Sequence, residues 1–414
     1  MRILVLGGGV IGVATAFELL KDGHEVTVVE RERDVALGTS FANAGMVAPG
    51  HAFAWASPKA PKILLKSLWR DDQALRFRFS LDPALWKWSL KFLRECTAER
   101  AIANTRRKHR LATYSQKVLE EISSEIDLKY DESRTGLLYF YRTAQSMERG
   151  VANMKILRDL GQKQEILDGP GLAKLEPALE GMKDQLAGGI YCPTDSVGDA
   201  RKFTQSMAEA VRTRGGKVLC ETTIERLETD GDRVTSVITD KGRLEADAYI
   251  VSLGIHSPHI SKALGLDLPI YPIKGYSLTF PTTGSNLAPV VGGVDEDNLI
   301  AYSRLGDRLR VTATAEFAGY DDSHKPADFK VMFGKIKQLL PNGVDYDKPS
   351  YWAGLRPMTP DGTPYIGPTK HRNAWLNTGH GHIGWTMSCG SARIMRDMIA
   401  GRKPEIPLDG LSLR

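Results

Sequence analysis

The first thirty residues alternate apolar runs with a glycine-rich turn. Residues 3–6 form an uninterrupted apolar run, which is typical of a buried parallel strand. A helical pattern follows over 13–20, and a second apolar run over 26–29 stops at Glu30. The pattern predicts strand, glycine turn, helix and strand, with an acidic side chain where the second strand ends.

The rest of the chain continues to alternate segments with a helical pattern and segments with a strand-like pattern. Helices are predicted over 110–128, 144–160, 200–212 (capped by Asp199) and 391–400, and strands over 135–141, 217–227, 233–239 (after a turn at 231–232) and 248–254. Residues 270–317 alternate strand-like segments with turns, which predicts a separate and largely antiparallel sheet. The fold class is therefore α/β, with an α+β portion.

Glycines fill the three positions of the G-x-G-x-x-G pattern that follows the first strand. Gly7 permits the tight turn, Gly9 lets the backbone approach a pyrophosphate, and Gly12 lets the helix pack closely on the strand. A glycine turn alone is common in α/β proteins. Since strand, helix and second strand are all in register here, the sequence predicts a dinucleotide site.

The helix after this turn supplies the polar contacts. Val10 and Ile11 stand in the turn just before it and are candidate cofactor contacts, and the unpaired N–H groups and the positive end of the helix face the phosphates. Glu30 is placed to accept hydrogen bonds from ribose hydroxyls, and Arg31 follows it.

Small and polar residues are dense over 38–46. Two interpretations stay open, a surface loop and a second cofactor contact, and the position directly after the ribose strand favours the second. The candidate contacts are Ser40, Asn43, Ala44, Gly45 and Met46. Where the chain returns to the dinucleotide domain, Ile224, Ser252 and Gly254 are further candidates.

A second glycine-rich segment, 377–386, precedes the last helix. Such a segment can stabilise an anionic group at a helix N-terminus. The candidates are Gly381, His382, Ile383, Gly384, Trp385 and Thr386. No carboxylate or cysteine stands at ligand spacing beside the histidines, so no metal is predicted.

Composition is that of a soluble globular protein of 414 residues, and no run is apolar enough to span a bilayer or to act as a signal peptide. Four cysteines without a C-x-x-C pair predict free thiols in a reducing cytoplasm. Net charge is +5, yet 59–110 alone carries fourteen Lys/Arg and five Asp/Glu, or +9. Within it, basic amphipathic helices are predicted over 62–69 and 85–93. The segment 59–94 is basic and rich in tryptophan, which favours a membrane-facing segment or a lid over the active site. No nucleic-acid motif accompanies these charges.

Four segments, 39–45, 271–279, 354–364 and 377–390, resemble the FAD-dependent D-amino acid oxidase superfamily, and within it the bacterial D-amino acid dehydrogenase small-subunit family. The resemblance runs from residue 1 to beyond 400. It implies FAD as the cofactor, with the segment 377–386 at the flavin N1/C2=O region. It also implies oxidative deamination of D-amino acids to 2-oxo acids and ammonia, with electrons passing to a respiratory quinone from the cytoplasmic side of the inner membrane. Since no cysteine lies between Cys220 and Cys389, FAD is expected to be non-covalent.

The dinucleotide signature opens the chain and the second glycine-rich segment closes it, so the cofactor domain is expected to be discontinuous. A Rossmann-type FAD-binding domain is expected from 1–50, 190–265 and 350–414, and a substrate domain with a mixed or antiparallel sheet from 51–189 and 266–349. The oligomeric state stays open.

Hydride transfer from Cα to flavin N5 needs the substrate carboxylate held firmly, and an arginine fork matches that group. Arg356, on a turn beside the flavin segment, is the first candidate and is also counted among the cofactor contacts. Tyr276 follows, and His51, Tyr302 and Arg304 are weaker candidates. Three alternatives remain: a dehydrogenase or oxidase of a cyclic secondary amine such as D-proline or cis-4-hydroxy-D-proline, an oxidase that uses oxygen directly, and a non-catalytic flavin subunit that relays electrons.

Overall fold

The computed structural model of the protein describes residues 1–67, 75–77, 81–282, 284 and 287–413. The helix predicted over 62–69 extends past this range, so its end and Trp69 lie outside the described residues. No helix within these ranges is long and apolar enough to cross a membrane.

The strands run as follows: β1 Arg2–Leu6, β2 Glu25–Val29, β3 Met46–Val47, β4 Leu75–Phe77, β5 Leu137–Tyr141, β6 Glu165–Leu167, β7 Gly188–Cys192, β8 Ser196–Val197, β9 Lys217–Leu219, β10 Ile224–Asp230, β11 Arg233–Thr239, β12 Gly242–Leu244, β13 Ala248–Val251, β14 Tyr271–Pro281, β15 Gly292–Asp295, β16 Ile300–Leu305, β17 Arg308–Phe317, β18 Ser350–Met358, β19 Tyr365–Pro368 and β20 Ala374–Thr378.

The α-helices are α1 Val10–Leu20, α2 Ala60–Ser67, α3 Pro83–Glu95, α4 Ala98–Glu125, α5 Ala144–Arg158, α6 Gly169–Leu175, α7 Ala200–Thr213, α8 Ser257–Ser261, α9 Lys330–Leu339 and α10 Gly384–Ile399.

A six-stranded sheet in the order β19-β20-β13-β1-β2-β9 forms the first layer. All its pairings are parallel except the antiparallel edge strand β19. The apolar runs predicted as strands β1, β2 and β13 are confirmed, and β1 lies between the other two. This is the arrangement of a Rossmann-type sheet, whose ligand binds beyond the carboxyl ends of the strands.

Helices α1, α4, α7 and α10 share one hydrophobic core with this sheet. Helix α4 belongs to the stretch 51–189, yet it packs against α10. Glu18, which is fully buried in α1, accepts hydrogen bonds from Arg393 at 2.5 Å and from Arg396 at 3.4 Å, both in α10. These bonds tie the first helix of the chain to the last.

The second layer is a nine-stranded sheet in the order β18-β14-β17-β16-β15-β5-β7-β6, with β4 beside β17. Most of its pairings are antiparallel, while β15–β5 and β17–β4 are parallel. The mixed or antiparallel sheet expected for the substrate domain is confirmed. A three-stranded sheet (β10-β11-β12) and the pair β3-β8 complete the strands.

Several predicted elements differ from the structure: α4 begins at Ala98 and not at 110, and Arg356 lies on strand β18 and not on a turn. The strand predicted over 217–227 is two strands, because Glu221 adopts a left-handed φ of 52° and the chain leaves the six-stranded sheet there. The last helix begins at Gly384 and not at 391, since Gly384 and Gly390 both lie within it. The turn at 231–232 and the cap by Asp199, whose side chain accepts from Arg201 N and Lys202 N, are confirmed.

Helix α3 has two different faces. Leu85, Trp88 and Phe92 are buried, and Trp88 Nε1 donates to Met358 O at 2.8 Å. On the opposite face, Trp86 and Leu90 are 45% and 62% exposed. The tryptophans of this helix are therefore divided between the protein interior and solvent.

Candidate active site

A cavity of about 770 Å³ lies between the two large sheets. The predicted cofactor contacts that line it are Gly7, Gly9, Val10, Ile11, Glu30, Arg31, Ser40, Asn43, Ala44, Gly45, Met46, Ile224, Ser252, Gly254, Arg356, Gly381, His382, Ile383, Gly384, Trp385 and Thr386. Residues from five separate parts of the sequence thus meet at one cavity.

The glycine turn is built by close backbone approach. Gly7 has a φ of 110°, and a Cβ there would stand 2.6 Å from Ser252 O. Gly12 does not line the cavity, and a Cβ there would stand 1.9 Å from Gly7 O. It acts by bringing α1 against the turn, as the motif requires.

Glu30 lies at the end of β2 beside the turn. Its carboxylate accepts from Gly8 N at 2.7 Å and from Glu32 N at 2.9 Å. Each oxygen keeps a further lone pair for a ribose hydroxyl. Arg31 Nη1 lies 3.1 Å from His256 Nε2, which orients it along the same wall.

The loop at 38–46 packs against the start of α1. Ser40 Oγ accepts from Val10 N at 3.2 Å, and Gly45 N donates to Asn43 Oδ1 at 3.0 Å. The hydroxyl of Thr386 accepts from Ala48 N at 3.1 Å, which joins this loop to α10. The loop is held by its own side chains and borders the cavity, as expected of a cofactor contact.

The second glycine-rich segment closes the far end of the cavity. Gly379 and Gly381 adopt left-handed φ values of 78° and 61°, which turn the chain into α10. The ring of His382 stacks on Trp55 with centroids 4.8 Å apart. Burial, together with the positive charge of Lys108, holds the pKa of His382 well below its ordinary value.

The cavity has the features that FAD requires. The N-terminus of α1 presents N–H groups for a pyrophosphate, and Glu30 stands at the ribose position. Ser252 Oγ and Trp385 Nε1 are buried at the cavity wall without a hydrogen-bond partner among the described residues. Buried polar atoms usually have partners, so these two fit a bound ligand.

Arg356 lies on β18 and reaches the cavity across β14. Its Nη1 donates to Thr314 O at 3.3 Å, and no carboxylate of the described residues pairs with it. Burial lowers the pKa of Arg356 to about 10. A guanidinium held in this way offers most of its donors to an anionic ligand.

Tyr276 is a lining residue of the cavity, but its hydroxyl donates to Glu316. The ring packs edge-on against Phe329 with centroids 5.3 Å apart. Burial raises the pKa of Tyr276 well above its ordinary value. The structure therefore places this tyrosine in the wall, with its hydroxyl already bonded.

His51 also lines the cavity, and its Nε2 lies 2.9 Å from Glu296 Oε1. Its ring stacks on Tyr139 at 5.1 Å with an interplanar angle of 7°. Burial acts to lower the pKa of His51, but the carboxylate of Glu296 outweighs it and the pKa is raised. Glu296 follows β15, far along the sequence from His51, and no sequence signal connects the two.

Tyr302 and Arg304 do not line the cavity. Tyr302 is fully buried in the core of the nine-stranded sheet, against Gly293. Arg304 Nε donates to Gly306 O at 3.2 Å in the turn after β16. Of the three weaker candidates, His51 lines the cavity, whereas Tyr302 and Arg304 are not among its lining residues.

Lys108 is a further charged group that the sequence analysis did not select. It is fully buried in α4, and its Nζ donates to Phe53 O at 2.5 Å and lies 3.5 Å from His382 Nε2. Burial lowers the pKa of Lys108 to about 7. In the part of the chain that the structure describes, no cluster of three or more His, Cys, Asp or Glu could hold a metal ion.

The chain belongs to the family of FAD-dependent oxidoreductases known as DAO, whose model matches residues 2–398. The protein is therefore an enzyme, and FAD is its cofactor, in agreement with the sequence expectation and with the features of the cavity.

Within the family, two curated relatives match this chain over nearly its full length. It is 47% identical over 412 residues to "D-amino acid dehydrogenase 2" of Mesorhizobium japonicum, covering 99% of both chains. It is 44% identical over 414 residues to a D-amino acid dehydrogenase of Paramagnetospirillum magneticum, covering 100% of this chain and 98% of the relative.

Solved structures share the fold at low identity. Glycine oxidase from Geobacillus kaustophilus aligns with a TM-score of 0.77 at 22% identity, covering 100% of this chain and 98% of the other. L-proline dehydrogenase from P. horikoshii aligns with a TM-score of 0.75 at 17% identity, covering 100% and 96%. The D-amino acid oxidase-like fold predicted from the sequence is confirmed.

Proposed function

We propose that this enzyme oxidises D-amino acids to 2-oxo acids and ammonia and passes the electrons to a respiratory quinone. The relatives at 43–47% identity carry the name D-amino acid dehydrogenase, which supports the substrate class and an acceptor other than oxygen. The observation that carries the proposal is the half-buried guanidinium of Arg356, which lines the cavity without a carboxylate partner among the described residues.

Arg356 would bind the substrate carboxylate. An arginine fork holds a carboxylate through two parallel hydrogen bonds and fixes its plane as well as its position. Thr314 O anchors one side of the guanidinium through Nη1, so the fork does not rotate freely. Fixing the carboxylate also fixes Cα, and a well-oriented reacting bond lowers the activation barrier substantially.

The bound FAD supplies the acceptor for two electrons, most simply as a hydride received at N5. The protein supplies the orientation and the exclusion of water. Tyr276, Trp55 and residues 353–355 line the same cavity as Arg356. The hydroxyl of Tyr276 is bonded to Glu316 and is therefore not a free donor for the substrate.

The two-part domain division remains part of the proposal. The strands of the six-stranded sheet all fall within 1–50, 190–265 and 350–414, which supports an FAD-binding domain from these stretches. Helix α4 would serve this domain from within 51–189, because it packs on α10.

The exposed face of α3 supports contact with a membrane surface. Trp86, Leu90 and Leu93 are spaced along one face and are 45%, 62% and 46% exposed, and Lys87 and Lys91 lie on the same helix. Tryptophan and lysine at an apolar boundary suit the headgroup region of a bilayer. A membrane-bound quinone would be reached from this position.

A panel of amino acids tests the substrate class. The purified holoenzyme is mixed without oxygen with D- and L-amino acids, D-proline and cis-4-hydroxy-D-proline, and the loss of flavin absorbance is followed. Fast bleaching by D-amino acids supports the proposal. Bleaching by the cyclic amines alone would favour the alternative, and reduction only by a partner protein would favour the relay subunit. Reoxidation by a quinone analogue and by oxygen is then compared to identify the acceptor.

Arg356→Met tests whether Arg356 binds the substrate carboxylate. Flavin should stay bound, and reduction by D-alanine should fall with worse kcat and KM, because losing one partner of a buried charge pair typically costs 2–5 kcal/mol. Arg356→Lys should recover only part, since a point charge lacks the fork. Wild-type reduction rate and half-saturation in the methionine variant would contradict the assignment.

A further inference from the structure

The oxidation proposed above requires a proton to leave before the hydride does. An amino acid in neutral water carries an ammonium group, whereas the electron pair that forms the C=N bond is available only on the neutral amine. Arg356 is a cation and cannot take this proton. The cavity must therefore hold a separate acceptor or admit only the rare neutral substrate.

We propose that His51, oriented by Glu296, accepts the substrate's ammonium proton and is a catalytic residue of this enzyme. The inference rests on the proposed function, since it concerns the ammonium of an amino acid in this cavity. His51 and Glu296 both line the cavity, as Arg356 does, so a ligand held by its carboxylate shares the space with the pair.

The hydrogen bond between the two sets the chemistry of the ring. With Nε2 donating to Glu296 Oε1 at 2.9 Å, neutral His51 keeps the lone pair of Nδ1. Nδ1 makes no hydrogen bond to any residue that the structure describes. This assignment of the tautomer follows from the bond at Nε2. The nitrogen left over is the one that can receive a proton.

The ring is held in place from behind. Tyr139, on which His51 stacks, donates its hydroxyl to Asp195 Oδ2 at 2.8 Å. Gly50 N donates to the other oxygen of Asp195 at 3.1 Å, which fixes the backbone next to His51. A Cβ on Gly50 would stand 2.5 Å from Asp195 Oδ2, so the approach needs glycine. Such a supporting layer is what a positioned proton acceptor requires.

Charges of both signs act on His51. The carboxylates of Glu296 and Asp195 favour its protonated form, while burial and the ammonium of Lys108 oppose it. Burial and the charge of Lys108, whose Nζ lies 3.5 Å from His382 Nε2, hold the pKa of His382 well below its ordinary value. The outcome for His51 is a raised pKa, which brings the acceptor closer in basicity to an amine.

The step balances in protons and electrons. The ammonium N–H bond breaks and its proton goes to Nδ1 of His51, whose charge is then balanced by Glu296. The freed nitrogen lone pair would form the C=N bond, for which bound FAD would supply the acceptor of the two electrons of the Cα–H bond. Water then hydrolyses the cationic imine to the 2-oxo acid and ammonium, and His51 returns its proton to solvent.

The test is the pH dependence of flavin reduction by D-alanine in the holoenzyme. In the wild type, kcat/KM should rise with pH through the pKa of His51, below that of free D-alanine's ammonium. His51→Gln should lower it 10²–10⁴-fold at neutral pH, the usual contribution of a proton acceptor. Its profile should rise only at the pKa of the free ammonium. In Glu296→Gln, kcat/KM should instead rise at a lower pH than in the wild type, because losing the neighbouring negative charge lowers the pKa of His51.

Two controls separate catalysis from folding. Propionate is D-alanine without its amine, so its binding, measured by the change in the flavin spectrum, should be unchanged in His51→Gln and weakened in Arg356→Met. His324→Gln, on an exposed loop, should keep the wild-type profile. If His51→Gln and Glu296→Gln both keep the wild-type pH profile, the inference is overturned while the proposed function stands. If no amino acid reduces the wild-type flavin, the proposed function fails and the inference fails with it.

Discussion

Gly275 leaves the space that the guanidinium of Arg356 occupies. The two residues lie on neighbouring antiparallel strands, and a Cβ built on Gly275 would stand 2.4 Å from Nη2 and 2.5 Å from Cζ. The guanidinium can occupy this position because Gly275 has no side chain. The motif at 271–279 and the motif at 354–364 meet at this contact.

Gly275→Ala should displace Arg356 without disturbing the flavin site. We expect KM for D-alanine to rise at least tenfold, because the added methyl group occupies the place of the guanidinium. Gly334→Ala in α9, where an added Cβ meets no atom within 4 Å, is the matched control. Steady-state kinetics and flavin content measure the outcome. An unchanged KM in Gly275→Ala would show that Arg356 acts from another position.

Glu30→Ala should weaken FAD binding. The loss corresponds to one or two charge-assisted hydrogen bonds, on the order of 1.5–3 kcal/mol each. Glu30→Gln should retain more flavin, since its amide oxygen can still accept from Gly8 N. Flavin retained after dialysis is the measurement, with Glu25→Ala at the exposed start of β2 as the control. Full retention in Glu30→Ala would identify Glu30 as a turn-stabilising acid only.

Charge reversal of the segment 59–94 should release the protein from anionic vesicles. The variants are Lys62→Glu and Lys91→Glu, with Leu90→Ser to remove exposed apolar surface; Lys87 pairs with Asp267 and is left unchanged. The side chain of Lys66 lies outside the described residues. Surface attraction is about 1 kcal/mol per basic residue. Sedimentation with vesicles is compared with Lys163→Glu/Lys174→Glu, and dye-linked turnover should persist. If the variant of segment 59–94 sediments with vesicles as fully as the control variant Lys163→Glu/Lys174→Glu, the result would argue against membrane contact by α3.

Because of Lys108, the free energy of unfolding should increase with pH in the neutral to alkaline range. Its folded pKa is about 7 and its ordinary value is 10.5, so the unfolded chain binds more protons between these values. Stability contributed at this site therefore rises as pH increases from about 7 to 10.5, by several kcal/mol at most. Lys108→Met should lose this slope and be the more stable protein at neutral pH. Urea unfolding gives the free energy of unfolding of the wild type and of Lys108→Met at each pH, and the difference between the two is compared across this range. If both proteins show the same dependence on pH, the ammonium of Lys108 is better solvated than its burial indicates.

Much of the fold could be predicted because it depends on patterns of residues that are close together in the sequence. The glycine turn, β1, β2 and Glu30 follow from spacing alone, since each requirement is met within thirty residues. Helix α4 was predicted from 110 although it begins at Ala98. Its first turns carry Arg100, Arg106 and Arg107, so the apolar stripe is weak there and only packing against α10 reveals the helix.

The candidate site was predictable where it depends on backbone and not where it depends on distant pairs. Arg356 and the segment 377–386 were found because glycines mark them. Glu296, Asp195 and Lys108 stand in ordinary-looking stretches, and only the tertiary fold brings them near His51. Tyr302 was a plausible candidate by residue type, but the period of β16 points its side chain into the core.

The order of the six-stranded sheet constrains the timing of assembly during synthesis. Strand β1 has β2 on one side and β13, some 240 residues later, on the other, and β20 joins only after β13. The ends of the chain are further joined by Glu18 and Arg393. A ribosome-bound chain would therefore present the glycine turn long before its neighbours exist. Flavin loading would await release of nearly the entire polypeptide, and truncated products would leave an apolar sheet edge open to aggregation.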